Sequence, residues 1–247
     1  MAETTLPMLT IDDPWKELRK QCFGNVEPEV TLEAVTAPLD AFGRLEETRD
    51  LWTRIETLPA WSAAISYGSR EKMADDPDRK RALNKKLISL GHLTPIESVQ
   101  FNFHVSGISK ACGAQISRHR IGQGHVSSSR RFQAQGISFV YPILNYITEE
   151  EIVRDALRRL SEANEKAFEV YENLRNSSKL RKEDARRVIP VASSQERIWW
   201  INARALRDFL RLRLPKDAEW EVRRIAVKLY NLVTGVAPSL FEDVVVK

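Results

Sequence analysis

Residues 118–132, "RHRIGQGHVSSSRRF", concentrate side chains that could bind an anion. The stretch holds four arginines, two histidines and three consecutive serines in fifteen residues, with two glycines among them. An arginine presents a planar fork of donors that matches a phosphate, and a serine adds a hydroxyl donor. Glycine lets the backbone approach a ligand closely. The composition is typical of a phosphate cradle, and it is equally typical of a solvated basic loop.

The spacing within this stretch predicts two binding faces. A helix through its start would place Gln115, Arg118 and His119 on one side, because residues three and four apart are neighbours on a helix. An extended chain after it would point Ser128 and Arg130 the same way, because side chains alternate along a strand. Charge and spacing alone leave the phosphate cradle and the loop as open alternatives.

More polar residues follow towards the end of the chain. Arg186 lies in "DARRVIP". Asn202 and Arg213 are eleven residues apart, which is about three turns of a helix, so a helix would turn both to one side. A planar ligand would need such a polar pair on a mostly apolar helix. The alternative is an ion pair between Arg204 and Asp208 on a surface helix.

Other chemistries lack their sequence signatures. The chain contains no GxGxxG, GxxxxGK[ST], HExxH, CxxC or GxSxG motif. Its four histidines are too few and too scattered to indicate a metal site. Two cysteines, Cys22 and Cys112, cannot form a disulfide framework, so we expect a reducing, cytoplasmic setting. Cys112 follows an apolar helical pattern, which favours an inert buried thiol over a nucleophile.

The chain must position these residues with a mixed set of elements. It has 247 residues, 43% hydrophobic and 29% charged, with a net charge of +4, which is ordinary for a globular protein. It has no apolar run long enough for a membrane span and no secretory signal, so we expect no membrane partner. We predict an N-terminal appendage over residues 1–28 and a single domain over residues 29–247.

The hydrophobic pattern predicts an α+β fold that is rich in helix. Strict alternation predicts strands at residues 30–36 and 99–106, with Gly107 ending the second strand, and "GISFVYPIL" is a further candidate. The arginine-rich stretch that follows Gln115, residues 118–132, is predicted to be an irregular loop. Periodic apolar residues and caps predict helices over residues 39–58, 76–91, 108–120, 149–180, 193–214 and 217–238.

Two longer stretches resemble a known family. "GHLTPIESVQFNFHVSGISKACGAQISRHR" and "INARALRDFLRLRLPKDAEWEVR" resemble the flavin-dependent thymidylate synthases of the ThyX type, over roughly residues 30–244. The family motif RHRxxSxNExSxRY stands here as "RHRIGQGHVSSSRR". The resemblance implies a ThyX-like fold with a central, mostly antiparallel sheet, assembled as a homotetramer with shared active sites.

The same resemblance implies a reaction and its residues. A flavin (FAD) would help to move a one-carbon unit from methylene-tetrahydrofolate to C5 of a uracil nucleotide, with NADPH as reductant. Arg213 matches the arginine held against the uracil ring, where a fixed cation would stabilise charge on the base during C5 attack. The flavin-contacting positions match His92, Thr94, Arg118, His119, Arg120, Asn202, Arg204 and Asp208. The nucleotide-binding positions match Gln115, Arg118, Ser128, Ser129, Arg130, Arg186 and Arg213.

Several departures from the family pattern leave the substrate open between dUMP and UMP. The loss of the motif's glutamate removes an acceptor, which can change what fits a polar pocket. UMP would suit a nucleoside-antibiotic pathway of the polyoxin kind. A second hypothesis is a catalytically degenerate member that binds nucleotide or nucleic acid; for the enzyme we expect no nucleic-acid partner. The departures lie at Gln123, His125, Val126, Arg131, Asp208 and Asp217.

Overall fold

A computed structural model gives the fold. It describes residues 8–37, 51–66, 68–69, 76–129 and 136–244, and for residues 51–53 only the backbone. Within these residues, no helix is both long enough and apolar enough to span a membrane.

A four-stranded antiparallel sheet forms the centre of the fold. Its order is β1-β2-β4-β3, so β2 and β4 are the inner strands. This confirms the predicted α+β class with a central antiparallel sheet. The strands are β1 (Glu29–Val35), β2 (Gln100–Ser109), β3 (Gln123–Ser127) and β4 (Ser194–Asn202).

Nine helices of the described residues surround this sheet, together with two short 3-10 helices at Thr94–Ser98 and Arg186–Val188. They are α1 (Lys16–Lys20), α2 (Leu51–Ser66), α3 (Pro77–Ser89), α4 (Lys110–Ile116), α5 (Glu150–Asn176), α6 (Lys182–Ala185), α7 (Ala203–Arg213), α8 (Trp220–Val236) and α9 (Pro238–Phe241).

One face of the sheet packs against these helices to form the main core. Alternate residues of β2 and β4 point to this face, and Phe101, Phe103 and Trp199 are all fully buried there. Phe209 of α7 meets Trp199 edge to face, with 5.1 Å between the ring centroids. The sheet therefore fixes α7, whose two ends bear Arg204 and Arg213.

The N-terminal segment packs against the rest of the chain from residue 8 onwards. The backbone of Leu9 exchanges two hydrogen bonds of 2.9 Å with the side chain of Asn231 on α8. Arg19 of α1 is fully buried and forms ion pairs with Asp13 and Glu27. The boundary between an appendage and a domain after residue 28 stays a prediction.

The helix predicted over residues 193–214 is wrong in its first half. Residues 194–202 form β4, and α7 begins only at Ala203. Ile198 and Trp200 on the outer face of β4 are 42% and 37% exposed, so apolar residues occupy both faces of this strand. The alternation of apolar and polar residues that indicates a strand is therefore missing from this part of the sequence.

Four other expectations about local structure also fail. Gly107 does not end β2, because the strand continues through a bulge to Ser109. The arginine-rich stretch is not all loop, since β3 lies in its middle. "GISFVYPIL" forms only isolated bridges at Phe139. The helix expected over residues 108–120 is shorter, spanning Lys110–Ile116.

Local signals were sufficient for other elements. Asp76 caps α3 by accepting from the backbone N–H of Arg79 at 3.0 Å, and Gly91 follows the helix with a φ of +76°. The predicted strand at residues 30–36 and the long helices at 149–180 and 217–238 correspond to β1, α5 and α8. For the helix predicted over residues 39–58, residues 39–50 lie outside the described residues, and the described helix α2 runs past residue 58 to Ser66.

Candidate functional site

A cavity of about 430 Å³ lies where the chain from His119 to Gly122 meets the first turns of α7. The 3-10 helix at Thr94–Ser98 adds Glu97 to its wall. The lining residues are Glu97, His119, Arg120, Ile121, Gly122, Asn202, Arg204, Ala205 and Asp208. Five of the predicted flavin-contacting residues therefore line one cavity, from segments far apart in the sequence.

Asn202 links these two segments. Its Oδ1 accepts from the backbone N–H of Ala205 at 2.8 Å, which caps the N-terminus of α7. Its own backbone N–H donates to the carbonyl of Gly122 at 2.8 Å. The last residue of β4 thus fixes both the start of α7 and the turn that faces it.

Gly122 allows these segments to lie in close contact. Its φ is +68°, in the left-handed region that favours glycine. A Cβ at this position would lie 2.5 Å from Nδ2 of Asn202 and 2.9 Å from Cβ of Ala205. The absence of a side chain at Gly122 is therefore a condition for the shape of the cavity.

The cavity wall has charges of both signs. Arg204 donates to Oε1 of Glu97 at 2.6 Å across the cavity, rather than pairing with Asp208 along α7 as the surface-helix alternative would require. Asp208 and Arg120 are exposed, and none of the described residues forms an ion pair with Arg120. Such a wall suits a ligand that has both donors and acceptors as well as a negative charge.

His119 connects the cavity to Arg213. Nε of Arg213 donates to Nε2 of His119 at 3.3 Å, and the His119 ring meets Phe209 edge to face at 4.9 Å. Burial, and then the charge of Arg213, lower the pKa of His119, and the charge of Asp208 opposes this shift only in part. His119 is therefore a neutral acceptor for Arg213 at neutral pH.

Gln115 and Arg118 do not share a helix face with His119, contrary to the first interpretation. Gln115 lies in the last turn of α4, where its Nε2 donates to Glu219 at 3.4 Å. Arg118 lies in the turn after the helix, is exposed, and does not line the cavity. Both remain close to the site, because only three residues separate Gln115 from His119.

The remaining predicted site residues lie elsewhere in the structure. His92 and Thr94 line a separate cavity of about 330 Å³ beside α2. Ser128 lines a third cavity, and its backbone N–H donates to the carbonyl of Glu196 at 2.9 Å. Ser129 is half-buried next to it. Arg130 and Arg131 lie outside the described residues.

Arg186 is not brought to any of these cavities. It is exposed on the 3-10 helix that follows α6, where its Nε donates to the carbonyl of Glu183 at 3.4 Å. None of the described contacts joins it to another predicted site residue. Asp217 is likewise exposed, after the end of α7.

Glu97 is the lining residue that the sequence interpretation missed. It stands three positions after Thr94 in "GHLTPIE", one of the segments that bears the family resemblance. A carboxylate that close to a predicted contact was the available signal, but nothing in the sequence indicates that its partner would be Arg204.

A family model and several relatives match most of the chain. The family model for thymidylate synthase complementing protein matches residues 50–239. The chain is 33% identical over 194 residues to a flavin-dependent thymidylate synthase of Geobacter sulfurreducens, covering 76% of this chain and 81% of that protein. It is 32% identical over 204 residues to the flavin-dependent thymidylate synthase of Clostridium tetani, with the same coverage of 76% and 81%. It is 29% identical over 192 residues to that of Thermosipho africanus, covering 73% and 82%.

Proposed function

This chain belongs to the family of thymidylate synthase complementing proteins, and we propose that it is a flavin-dependent enzyme that methylates C5 of dUMP to give dTMP. The observation that supports this most strongly is the single cavity formed by residues 119–122 and the first turns of α7. Methylene-tetrahydrofolate would supply the carbon, and NADPH would supply the electrons.

The residues of the cavity fit a flavin nucleotide. Gly122 lets the turn of residues 119–122 lie directly against Asn202 and Ala205, which shapes the wall of the cavity for a planar ligand. Arg120 and Arg204 are the cations that would hold its phosphates or ring oxygens. When bound, FAD supplies hydride transfer between NADPH and the one-carbon unit.

Arg213 is the proposed catalytic residue. The charge of its guanidinium is not neutralised within the described residues, because its neighbour His119 is a neutral acceptor and none of the described carboxylates is paired with it. A cation held in this way beside a uracil ring would stabilise the negative charge that develops on the base when C5 attacks. His119 acts as a positioning residue, because its contact with Nε orients the guanidinium of Arg213.

The proposed nucleotide grip consists of Gln115, Arg118, Ser128, Ser129, Arg130 and Arg186. The described members come from α4 and the turn after it, the end of β3 and the 3-10 helix after α6, and none of the described contacts joins Arg186 to the other members. A homotetramer with shared sites would allow one protomer to complete the site of another. His92 and Thr94 line their own cavity beside α2, and they would serve the flavin or folate next to the 3-10 helix that bears Glu97.

The relatives named above favour dUMP as the substrate, since each is a thymidylate synthase. They lend no support to UMP or to a role in antibiotic synthesis. The replacement of the motif's glutamate by Val126 remains the observation that keeps a test of UMP worthwhile; Val126 is 66% exposed on β3.

The proposal is tested by purifying the protein with FAD and recording its spectrum before and after addition of NADPH, with dUMP or UMP. We expect a bound flavin that is bleached by NADPH, and conversion of dUMP but not UMP. Arg204→Met should weaken FAD binding, whereas Arg211→Met, which changes an arginine of similar exposure outside the cavity, should not. A colourless protein that binds oligonucleotides with steep salt dependence would instead support the degenerate binder.

A further inference from the structure

Arg197 of β4 is a buried cation without a counter-charge. The residue is 3% exposed and points to the core face of the sheet, two positions before Trp199 on the same side of β4. None of the described carboxylates forms an ion pair with it, and its Nε has no hydrogen-bond partner. Burial lowers its pKa, and the opposing influence comes from Cys112, a thiol whose own pKa burial raises so far that it stays neutral.

The groups around Arg197 are hydroxyls and an imidazole. Its Nη1 donates to Oγ of Ser117 at 3.4 Å, and Oγ of Ser117 lies 3.3 Å from Nε2 of His125. Ser127 pairs with Arg197 across the strands, and its buried hydroxyl also lacks a partner. The hydroxyl of Ser117 donates its own proton to the carbonyl of Gly113 at 2.8 Å. Nε of Arg197 and the hydroxyl of Ser127 are therefore the donors without a partner, and none of the described acids neutralises the guanidinium.

Helix α4 packs directly against the Arg197 guanidinium on one side. A Cβ on Gly113 of α4 would lie 2.3 Å from Nη2 of Arg197 and 1.7 Å from Nε2 of Gln195, so the helix covers that side without a gap. On the other side β3 is the edge strand of the sheet. Ser117, His125 and Ser127 are half-buried at this edge, at the end of α4 and along β3.

We propose that Arg197, His125 and Ser127 form a binding site for an oxyanion of the phosphate class. An unpaired buried charge destabilises a fold, and a bound anion that accepts from its donors removes that destabilisation. Arginine and serine donors match the oxygens of a tetrahedral anion. Protonation of His125, whose pKa burial and the charge of Arg197 lower, becomes favourable once the anion is present.

The phosphate group has two possible sources, free phosphate or the 5′-phosphate of a nucleotide. Ser127 adjoins Ser128 and Ser129, which belong to the proposed nucleotide grip, so a nucleotide phosphate could reach the same donors. The nucleotide version rests on the proposed function. The site itself does not, because it is defined by binding and not by methylation.

The first test follows thermal unfolding of the full-length protein in phosphate and in chloride at equal ionic strength. We expect phosphate to raise the midpoint by about 3–6 °C at ten times its dissociation constant. Arg197→Met should fold and lose this response, and Ser127→Ala should lose most of it. Ser193→Ala is the matched control, because Ser193 also has a buried hydroxyl without a partner and should keep the full response.

The second test follows the imidazole resonance of His125 by NMR while inorganic phosphate, dUMP or deoxyuridine is added. A rise in the pKa of His125 with phosphate or dUMP, absent with deoxyuridine and absent in Arg197→Met, supports the site. A response to dUMP but not to inorganic phosphate assigns it to the nucleotide. An equal thermal response in wild type and Arg197→Met, or no response to either phosphate, would overturn the proposal, whether or not the protein methylates dUMP.

Discussion

Nε of Arg213 donates to Nε2 of His119 across 3.3 Å, at the point where the end of α7 meets the turn that follows α4. Because Arg213 is permanently charged, His119 must offer a lone pair at Nε2, and its proton therefore belongs on Nδ1. The contact is compatible only with a neutral imidazole. It joins the proposed catalytic cation to the wall of the flavin cavity.

Replacement of Arg213 should therefore affect both catalysis and its neighbour. We expect Arg213→Met to lower kcat for dUMP by about 10²–10³-fold, because it removes a fixed charge at the reacting base. Arg213→Lys should recover part of the rate, since it retains the charge and loses the planar fork. In Arg213→Met the pKa of His119 should rise, as an NMR titration of its ring would show.

Arg211→Met is the control for this prediction. Arg211 lies two residues earlier on α7, is exposed, and contacts Asp243. Its replacement should leave kcat and the pKa of His119 unchanged. Equal loss of rate in both variants would mean that Arg213 only supports the helix.

Gly122→Ala should disrupt the cavity and weaken flavin binding. The new Cβ would press on Asn202 and Ala205 and displace the cap of α7, which costs about 1 kcal/mol in addition to the strain of the left-handed backbone. Gly136→Ala is matched in backbone, with a φ of +64°, but a Cβ there would meet nothing within 4 Å. Titration with FAD should show a loss of affinity for Gly122→Ala alone. Equal affinities of the two variants would contradict the role of Gly122 in shaping the flavin cavity.

Glu221 should make stability fall as pH rises towards and above neutrality. It accepts from the backbone N–H and the hydroxyl of Ser109 at 2.6 and 2.5 Å, and so fastens α4 to α8. Burial raises its pKa from 4.5 to about 7, the nearby charge of Glu219 adds to this shift, and the Ser109 bonds oppose it. The folded state therefore binds the proton more tightly, and this stabilisation is complete below pH 4.5 and lost as pH passes 7.

The measurement is the free energy of unfolding of Glu221→Gln and wild type between pH 5 and 8. The difference should shift in favour of the variant by up to about 3 kcal/mol as pH rises. Glu33→Gln changes an exposed carboxylate on β1 and should give a constant difference over the same range. A constant difference for Glu221→Gln as well would show that its carboxyl titrates normally.

Glu27→Gln should loosen the N-terminal segment. Glu27 accepts from Arg19 at 2.8 Å and from Arg224 at 2.6 Å, which links α1 to α8. Burial alone would raise the pKa of Glu27, but the two arginines outweigh it and lower the pKa overall. The carboxylate therefore stabilises the fold above pH 4.5, and this contribution disappears as pH falls through its lowered pKa.

Urea unfolding at pH 7 should show a loss of about 2 kcal/mol for Glu27→Gln, since a fully buried Arg19 loses a partner and Glu27 is partly exposed. The loss in the free energy of unfolding should become smaller at acidic pH. Glu29→Gln, a change at an exposed carboxylate two residues later, should cost little at either pH. Equal costs for the two variants would mean that the buried ion pairs do not hold the segment.

The elements that sequence patterns predicted are those whose signals are local. Alternation in β2 and the cap of α3 at Asp76 depend on neighbours within a few residues. The pattern of β4 predicts helix instead of strand, because Ile198 and Trp200 place apolar residues on its outer face as well. β3 contains two polar residues and a glycine before Val126, and it is a strand only because β4 pairs with it. No local pattern could have indicated that.

The site was predicted in part for the same reason. The resemblance supplied His119, Arg120, Asn202 and Arg204, and the fold brings them to one cavity. It could not supply the Arg204–Glu97 pair, which depends on how two distant segments meet. The sequence does not indicate Arg197 either, because a buried arginine that lacks a carboxylate partner has no sequence signature.

The central claim is most directly tested by the formation of dTMP. Purified protein is incubated with dUMP, methylene-tetrahydrofolate and NADPH, with and without FAD, and the nucleotide is identified by mass spectrometry. We expect dTMP only in the complete mixture, and we expect Arg213→Met to form none. Formation of dTMP by flavin-free protein, or no dTMP from protein that binds FAD and is reduced by NADPH, would contradict it.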